Sequence, residues 1–392
     1  MTASPPVVHY LPDEKFTNFF VELIRSFGAL GHMFAIDPAG VDGSLRYTHP
    51  MNASVVLNPS KAILPQMCDV IPRCKTLAIH FMTPRARCLT LAAPSHVRVF
   101  WSGWGADYYH LLPGGDRHLL GIRTQRLIDS LRIQRHGRLA GSLKAQAIRL
   151  GAGNLADTLR RCRWRAVWSR VDLFSAPIRP DFELLRAALG ASFRAGYCQV
   201  NYGSIEDTFS PSAALASNAN RVLLGHSASP IGNQLDAAVQ VPPARRSRLT
   251  LVLPLSYGDA SYARALLAEL NTMGFLTIES MEQFIPLDNY LSKTSSCGSA
   301  VFNAKRQCAL GNIGAALCRG ADVYLHPESP TYEFLRSLGA DVESSECMAR
   351  IGDEHTSSAI RQRAARNRAA LEHCWGREAV ASNARQFLRT VS

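Results

Sequence analysis

The 392-residue sequence has no D-x-D triplet, no cysteines at C-x-x-C or C-x-x-x-C spacing, and no run of eighteen apolar residues. The first absence removes the familiar carboxylate pair of a metal-bridged diphosphate. Phosphate charge would then fall to cationic side chains and helix dipoles. The second excludes a zinc ribbon and leaves ten scattered cysteines to be read as reduced thiols. The third excludes a membrane-spanning helix. The opening MTASPPVVHYLPDEKF has neither a basic stretch nor an apolar one behind it, so it is not expected to be a secretory signal. Charged residues are only 19% of the chain against 47% hydrophobic, which describes a globular protein and not a disordered one. Gly 27 and Pro 21 rule out collagen-like and low-complexity classes. The length suits two ordinary domains or one large one.

What is present is positive charge, unevenly placed. The net charge is +12, and the segment from Arg123 to Arg170 holds twelve Lys/Arg against two acids, Asp129 and Asp157. A localised basic face implies an anionic partner: a nucleic acid, an acidic bilayer or a phosphorylated substrate. Trp164 and Trp168, four apart among Arg160, Arg161, Arg163 and Arg165, fit a cationic amphipathic helix on an anionic membrane. Nucleic acid is the rival partner, and a solvated basic face is the plain alternative.

Along the first half, short apolar runs alternate with helical patterns: VVHYL, a helix over Phe16–Phe27, HMFAID, SVVLNP, KTLAIHF and HVRVFW. After the basic segment, AVWSRVDLFSAP and FRAGYCQVNYG read as strands around a helix RPDFELLRAALG. A second unit begins near Asn218 with RVLLGHS, LTLVLPLSYGD, SAVFN and ADVYLHPES as strands. Its helices are ASYARALLAELNTMG, LDNYLSKTSSCG, AKRQCALGNIGAALCRG and PTYEFLRSLG. Strand–helix alternation predicts parallel α/β sheets. The expected division is 1–215, 216–355 and a helical tail 356–392, with ligands at the carboxyl ends of the strands.

Four stretches carry candidate chemistry. In RVLLGHSAS, Gly225, His226 and Ser227 end a strand in a turn able to offer N–H groups and hydroxyls to a diphosphate. The same letters nearly spell the G-x-S-x-G elbow of a serine hydrolase with Ser227 as nucleophile, although the fifth position is Ser229. In LSYGD, Tyr257 could stack on a ring and Gly258 permits a tight turn. Asp259 is also a ready N-cap. In VFNAKRQCALGNIGAA, Asn303, Lys305, Arg306 and Gln307 are read as opening a helix after a strand, a phosphate-binding arrangement or an ordinary amphipathic helix. In FWSGWGADYYHLL, Asp107 stands at a strand end between tryptophans, either as a tuned base or as a helix cap. Ser329 precedes Pro330 as a helix N-cap. GAGNLA, Gly151–Ala156, matches a dinucleotide fingerprint by letters but follows a helical pattern instead of a strand.

WGADYYHLL, then LLGHSAS followed by LDA, then LPLSYGD, then VFNAKRQCALGNI, in that order, resemble the dTDP-N-acetylfucosamine:lipid II N-acetylfucosaminyltransferase family. The resemblance runs from about Phe100 to Ala340 and is strongest after Arg221. It implies a GT-B fold of two Rossmann-like domains facing each other across a cleft. It implies an inverting, metal-independent transfer from a nucleoside-diphosphate sugar, dTDP-linked, to an undecaprenyl-diphosphate-linked saccharide in surface polysaccharide synthesis. The enzyme would lie peripherally at the cytoplasmic face of the bacterial inner membrane, with no nucleic acid as partner. On this resemblance Gly225, His226, Ser227, Asn233, Tyr257, Gly258, Asn303, Arg306, Gln307, Asn312 and Ser329 would hold the donor. His226 stands where the family has Asn, and Cys308 where it has Gln. The catalytic base would be Asp107, or secondly Glu206, on the N-terminal domain. Arg160, Arg161, Arg163, Trp164, Arg165 and Trp168 would meet membrane and acceptor.

Overall fold

The structure, a computed structural model, describes residues 5–29, 31–136, 162–209 and 215–392. The chain divides into two units. The first gathers Met1–Pro113, Ala156–Ser204 and Trp375–Ser392; the second gathers Gly114–Leu155 and Ile205–Cys374.

The apolar runs of the first half become seven strands: β1 Val7–Pro12, β2 Met33–Asp37, β3 Val55–Val56, β4 Thr76–His80, β5 Arg98–Ser102, β6 Leu173–Ser175 and β7 Gly196–Tyr197. They form one parallel sheet in the order β3-β2-β1-β4-β5-β6-β7. The central strands are apolar almost throughout because helices cover both faces of a parallel sheet. One face packs Val7, Leu11, Phe34, Ile36 and Ala78 against Phe20, Val21 and Ile24 of helix Thr17–Ser26 and Phe387 of the last helix, Arg377–Val391. Thr76 Oγ1 donates to the Val391 carbonyl at 2.7 Å, tying that helix to β4.

The second unit holds β8 Asn218–Leu224, β9 Thr250–Pro254, β10 Thr277–Met281, β11 Cys297–Phe302, β12 Asp322–Leu325 and β13 Val342–Ser344. They too are all parallel, in the order β10-β9-β8-β11-β12-β13. β10 and β13 were not in the sequence reading. TIESM is mostly solvent-exposed and VES is three residues long, so neither carries an apolar run. Helix Ile122–His136 belongs to this unit, with Leu127 buried in its core. Each sheet therefore has the doubly wound order, reversing between β1 and β4 in one and between β8 and β11 in the other. Those switch points are where such sheets bind ligands, beyond the strands' carboxyl ends.

Two local readings are corrected. AVWSRV is not strand: 162–168 is helical, and the strand begins only at Leu173. The segment Asn303–Gln307 does not open a helix. β11 ends at Phe302, residues 303–309 form a loop, and the helix runs Leu310–Cys318 after Ala309 in the left-handed region at φ 58°.

Candidate functional site

At the switch point of the second sheet, β8 is followed by Gly225, whose φ of 72° is open to glycine at little cost. Its N–H donates to the Val301 carbonyl at 2.9 Å. The turn that follows is locked to the turn after β9: Ala228 N donates to Tyr257 O at 2.8 Å, and Asp259 N donates to Ala228 O at 2.9 Å. Gly258, at φ 117°, is obligatory, because a Cβ there would lie 2.4 Å from the Ala228 carbonyl oxygen. Asp259 caps helix Ala260–Asn271 through the N–H groups of Ser261 and Tyr262. Tyr257 is left 53% exposed beside His226, ring centroids 6.4 Å apart. The pair forms an aromatic edge at the strand ends.

Gln234 organises the turn from beneath. Its Nε2 donates to the Ser227 carbonyl at 2.6 Å and its Oε1 accepts from Tyr262 Oη at 3.0 Å. Asn233, fully buried at φ 50°, donates from Nδ2 to Leu119 O at 2.9 Å and to Asn303 O at 3.2 Å, and accepts from Gly121 N at 2.8 Å. Asn303 donates back to Asn233 O at 3.2 Å and accepts from Ser345 Oγ at 2.6 Å. Asp236 accepts from the N–H groups of Arg123 and Thr124, each at 2.9 Å, and caps helix Ile122–His136 from more than a hundred residues away. Gly121 makes room for that carboxylate, which a Cβ would meet at 2.3 Å. The side chains of Asn233 and Asn303 are thus engaged in positioning the turns. Gln234 and Asp236 were missed because Tyr262 and the amides of Arg123 and Thr124, which they hold, are remote in sequence.

The loop after β11 brings Lys305 and Arg306 to the same edge. Lys305 pairs with Glu328 at 3.1 Å, which holds the Glu328 carboxyl below its usual range. Arg306 is half-buried and its Nη1 donates to the Gln307 carbonyl at 3.3 Å. Gln307 is 4% exposed. Asn312, in the first turn of helix Leu310–Cys318, accepts from Tyr290 Oη at 2.8 Å. Ser329 occupies the N-cap position of helix Pro330–Ser337, yet its side chain makes no cap bond. His326 accepts the Glu328 N–H at 3.1 Å, a structural role.

Ser227 does not form a nucleophile elbow. It is 2% exposed, the left-handed backbone falls on Gly225 instead, and its Oγ lies 3.4 Å from His226 Nε2. A nucleophilic serine must stand exposed on the strained residue itself.

The first sheet ends in aromatics. Phe16 follows β1, Phe81 follows β4, Trp104 follows β5 and Tyr202 follows β7. Trp104 meets Phe16 at 6.3 Å, Phe81 at 5.6 Å and Tyr202 at 5.1 Å between ring centroids. Phe81 has φ 75°, a genuine outlier for a bulky side chain. Asp107 lies under this rim at 3% exposure. Its Oδ2 accepts from Met82 N at 2.9 Å and Trp101 Nε1 at 2.8 Å, and its Oδ1 accepts from Trp104 N at 2.8 Å. Burial nevertheless pushes its carboxyl above the ordinary value. A carboxylate holding three protein donors anchors the β5 turn and has little capacity left for a substrate hydroxyl. Glu206 sits in the π-helical turn Ile205–Phe209 of the second unit, 4.0 Å from Arg368, so it is not the N-terminal carboxylate expected.

The tryptophans of the basic segment are core, not membrane anchors. Trp164 is 7% exposed, stacked 6.4 Å from Trp101, with the Arg87 guanidinium 4.9 Å from its ring centroid. Trp168 is 3% exposed and its Nε1 donates to Ser192 Oγ at 3.0 Å. The four-residue spacing marks one helix face, and that face points inward. Arg163 and Arg165 are exposed. Arg160 and Arg161, like GAGNLA, lie outside the described residues. No helix of the described residues is long and apolar enough to cross a membrane, and among them no cluster of His, Cys, Asp or Glu could hold a metal ion.

No protein-family profile matches the chain, and no curated protein matches it by sequence. Its fold is that of GT-B glycosyltransferase structures. A glycosyltransferase from Rickettsia africae matches with a TM-score of 0.63 at 10% identity, covering 98% of this chain and 97% of that one. The sucrose-phosphate synthase of Thermosynechococcus elongatus matches at 0.60 and 11% identity, with 98% of each chain covered. The Anabaena HepE protein, solved with UDP and glucose, matches at 0.58 and 13% identity, again over 98% of each.

Proposed function

We propose that this protein is a glycosyltransferase that takes its sugar from a nucleoside-diphosphate donor held by the second unit. The observation that carries the reading is the switch point of that sheet. There Gly225–Ser227, bridged to Tyr257–Gly258, meets a loop bearing Lys305 and Arg306. A diphosphate would meet these turns beside the His226 and Tyr257 rings, at the carboxyl ends of the strands. The cationic loop and the N-terminus of helix Leu310–Cys318 supply the neutralising charge. Tyr257 offers a face to the base. The GT-B neighbours, one of them solved with UDP and glucose, agree in kind.

In the finer reading, which rests on the family resemblance, the donor is a dTDP-linked deoxyamino sugar. The acceptor is an undecaprenyl-diphosphate-linked saccharide, reached at the cytoplasmic membrane face. Transfer inverts the anomeric carbon and uses no metal. The departing diphosphate is stabilised by Arg306 and the Gly225–Ser227 turn. Exposed Arg163 and Arg165 favour an anionic surface, without help from the buried tryptophans.

The test is calorimetric titration with UDP, dTDP and GDP, with and without magnesium. Binding of one diphosphate, independent of magnesium and weakened at least about tenfold by Arg306→Ala, supports the reading. Binding of none of the three, or binding that Arg306→Ala leaves unchanged, sinks the assignment of the site.

A further inference from the structure

Arg319 follows helix Leu310–Cys318 in the second unit and is 3% exposed. Its backbone is fully engaged. The N–H donates to the Ala315 and Ala316 carbonyls, each at 3.2 Å, and the carbonyl accepts from Ala216 N at 2.9 Å. The side chain differs: Nε and Nη2 are buried and have no hydrogen-bond partner among the described residues. The guanidinium lines a cavity of about 10 Å³, which is room for one water-sized guest. That cavity is bounded by β8, β11, helix Leu287–Ser295 and helix Leu310–Cys318. Ala300, Ala315 and Ala316 open it by being small. Asn312 and Arg319 share the helix face of those two alanines at a spacing of three and four.

Other arginines of this unit are only partly buried, and they hold carboxylates. Arg221 donates to Glu279 at 2.6 and 2.8 Å, and Arg245 and Arg363 pair with Asp353 and Asp322. Arg319 lies deeper than these, and among the described residues no Asp or Glu pairs with it. The groups close enough to favour its charge are two thiols and a phenol: Cys318, Tyr290 and Cys297. Burial pushes both thiols up to about 11 and raises the Tyr290 hydroxyl as well. Tyr290 Oη also donates to Asn312 Oδ1 at 2.8 Å, so its proton is in use. All three are therefore neutral at neutral pH. Burial lowers the guanidinium too, yet an arginine stays protonated in proteins. An interior charge with neither counter-charge nor hydrogen bonds is among the costliest features a fold can carry.

We infer that this cavity is a binding site for a halide ion, chloride under ordinary conditions, held by the Nε–H and Nη2–H of Arg319. A water molecule would satisfy the two donors and leave the charge unbalanced; a monatomic anion does both. Phosphate, sulfate and carboxylates carry several heavy atoms and exceed a space of one-water size. Leu223 and Leu291 supply apolar walls, so attraction between ion and guanidinium is little screened. The ion is a structural counter-charge. It lies where helix Leu287–Ser295 and helix Leu310–Cys318, already joined through Tyr290 and Asn312, meet β11. The inference uses nothing of the donor reading and lies wholly within the second unit.

Two measurements on the full chain test this. The first is long-wavelength anomalous scattering from crystals grown in sodium chloride. A chlorine peak within hydrogen-bond distance of Arg319 Nε and Nη2 is expected. An ordered water at that place, without anomalous signal, overturns the proposal. The second is thermal unfolding followed by circular dichroism, in sodium chloride and in sodium gluconate at equal ionic strength, so that screening is the same in both. Gluconate is too large for the cavity. Replacing it with about 100 mM chloride should raise the melting temperature of the wild type by about 2–4 °C, because the ion binds only the folded state. Arg319→Met removes the charge from a slot of similar length. It should lose the chloride effect and be at least as stable as the wild type in gluconate. Equal stability of the wild type in the two salts, or a chloride effect that survives in Arg319→Met, overturns the proposal. A chlorine peak with no chloride effect on stability marks an adventitious ion only and overturns the counter-charge role. Should Arg319→Met fail to fold, the crystal and the wild-type comparison still decide. No arm uses a nucleotide, so failure here leaves the donor site standing.

Discussion

Removing the Asn233 side chain should unfasten the second unit's turn system at a cost that can be worked from its contacts. The amide makes three hydrogen bonds inside the protein, to Leu119 O, Asn303 O and Gly121 N, and it is fully buried. At about 1 kcal/mol each, their loss in Asn233→Ala is worth ~3 kcal/mol, with three backbone groups left unpaired in the interior. The residue also sits at φ 50°, which Asn tolerates and Ala does not, adding ~1 kcal/mol. The expected destabilisation is therefore ~4 kcal/mol. Asn233→Gly removes the same bonds without the backbone penalty and should recover ~1 kcal/mol of it. All five tryptophans fall in the first unit, so their fluorescence reports that unit alone. Urea unfolding followed by circular dichroism, together with hydrogen exchange over 119–127, should show the loss. The Gly121 amide, held only by Asn233 Oδ1 in its turn, should lose protection most. A destabilisation below ~1 kcal/mol in Asn233→Ala, or Asn233→Gly worse than Asn233→Ala, would refute the arithmetic.

Four further perturbations have definite outcomes. Burial holds His80 down to about 3 and His32 to about 4, and lowers His9, whose neighbours His80 and His32 add repulsion. The unfolded chain, near 6.5, then binds more protons below that pH. First-unit stability should be flat above about pH 7 and fall as pH drops below ~6.5, with a slope approaching ~1.4 kcal/mol per unit for each of His9 and His80. Tryptophan-detected urea midpoints that stay constant from about pH 7 to about pH 5 would contradict this. Trp164→Ala should cost ~3–5 kcal/mol as a core truncation and should not selectively weaken liposome binding. Arg163→Glu with Arg165→Glu should leave stability nearly unchanged and weaken binding to anionic vesicles in sedimentation; the reverse pattern would restore the tryptophans as anchors. Finally, Ser227→Ala should keep diphosphate release, and a fluorophosphonate probe should fail to label the wild type at Ser227. Labelling would reopen the hydrolase.

The two sheets were legible because parallel strands buried on both faces must be apolar runs, and VVHYL, KTLAIHF, RVLLGHS and SAVFN leave little else to be. What misled was direction. Trp164 and Trp168 at a spacing of four fix a face, but local sequence does not say whether that face meets lipid or the Trp101 ring; the neighbouring arginines tipped the reading toward lipid. Asp107 between tryptophans reads equally as a base or an anchor. Only the positions of Met82 N, Trp101 Nε1 and Trp104 N decide, and the first of these comes from the turn after β4. Asn303 to Gln307 look like a helix start because Lys and Arg follow a strand, yet Ala309 in the left-handed region delays the helix to Leu310. Three histidines of the first unit carry the same lesson further: His32 Nδ1 lies 3.0 Å from His9 Nε2, and His9 Nδ1 lies 3.0 Å from His80 Nε2. His9, His32 and His80 are each unremarkable alone, and each lies in or beside a strand of apolar residues. They become a unit only because parallel pairing in a fixed register puts His9 beside Phe34 and Ala78, with all three rings on one face. A slip of one residue in β4 would turn His80 to the other face and break the chain. Register is therefore what joins these three rings, and it is set by the apolar pattern of the strands that carry them.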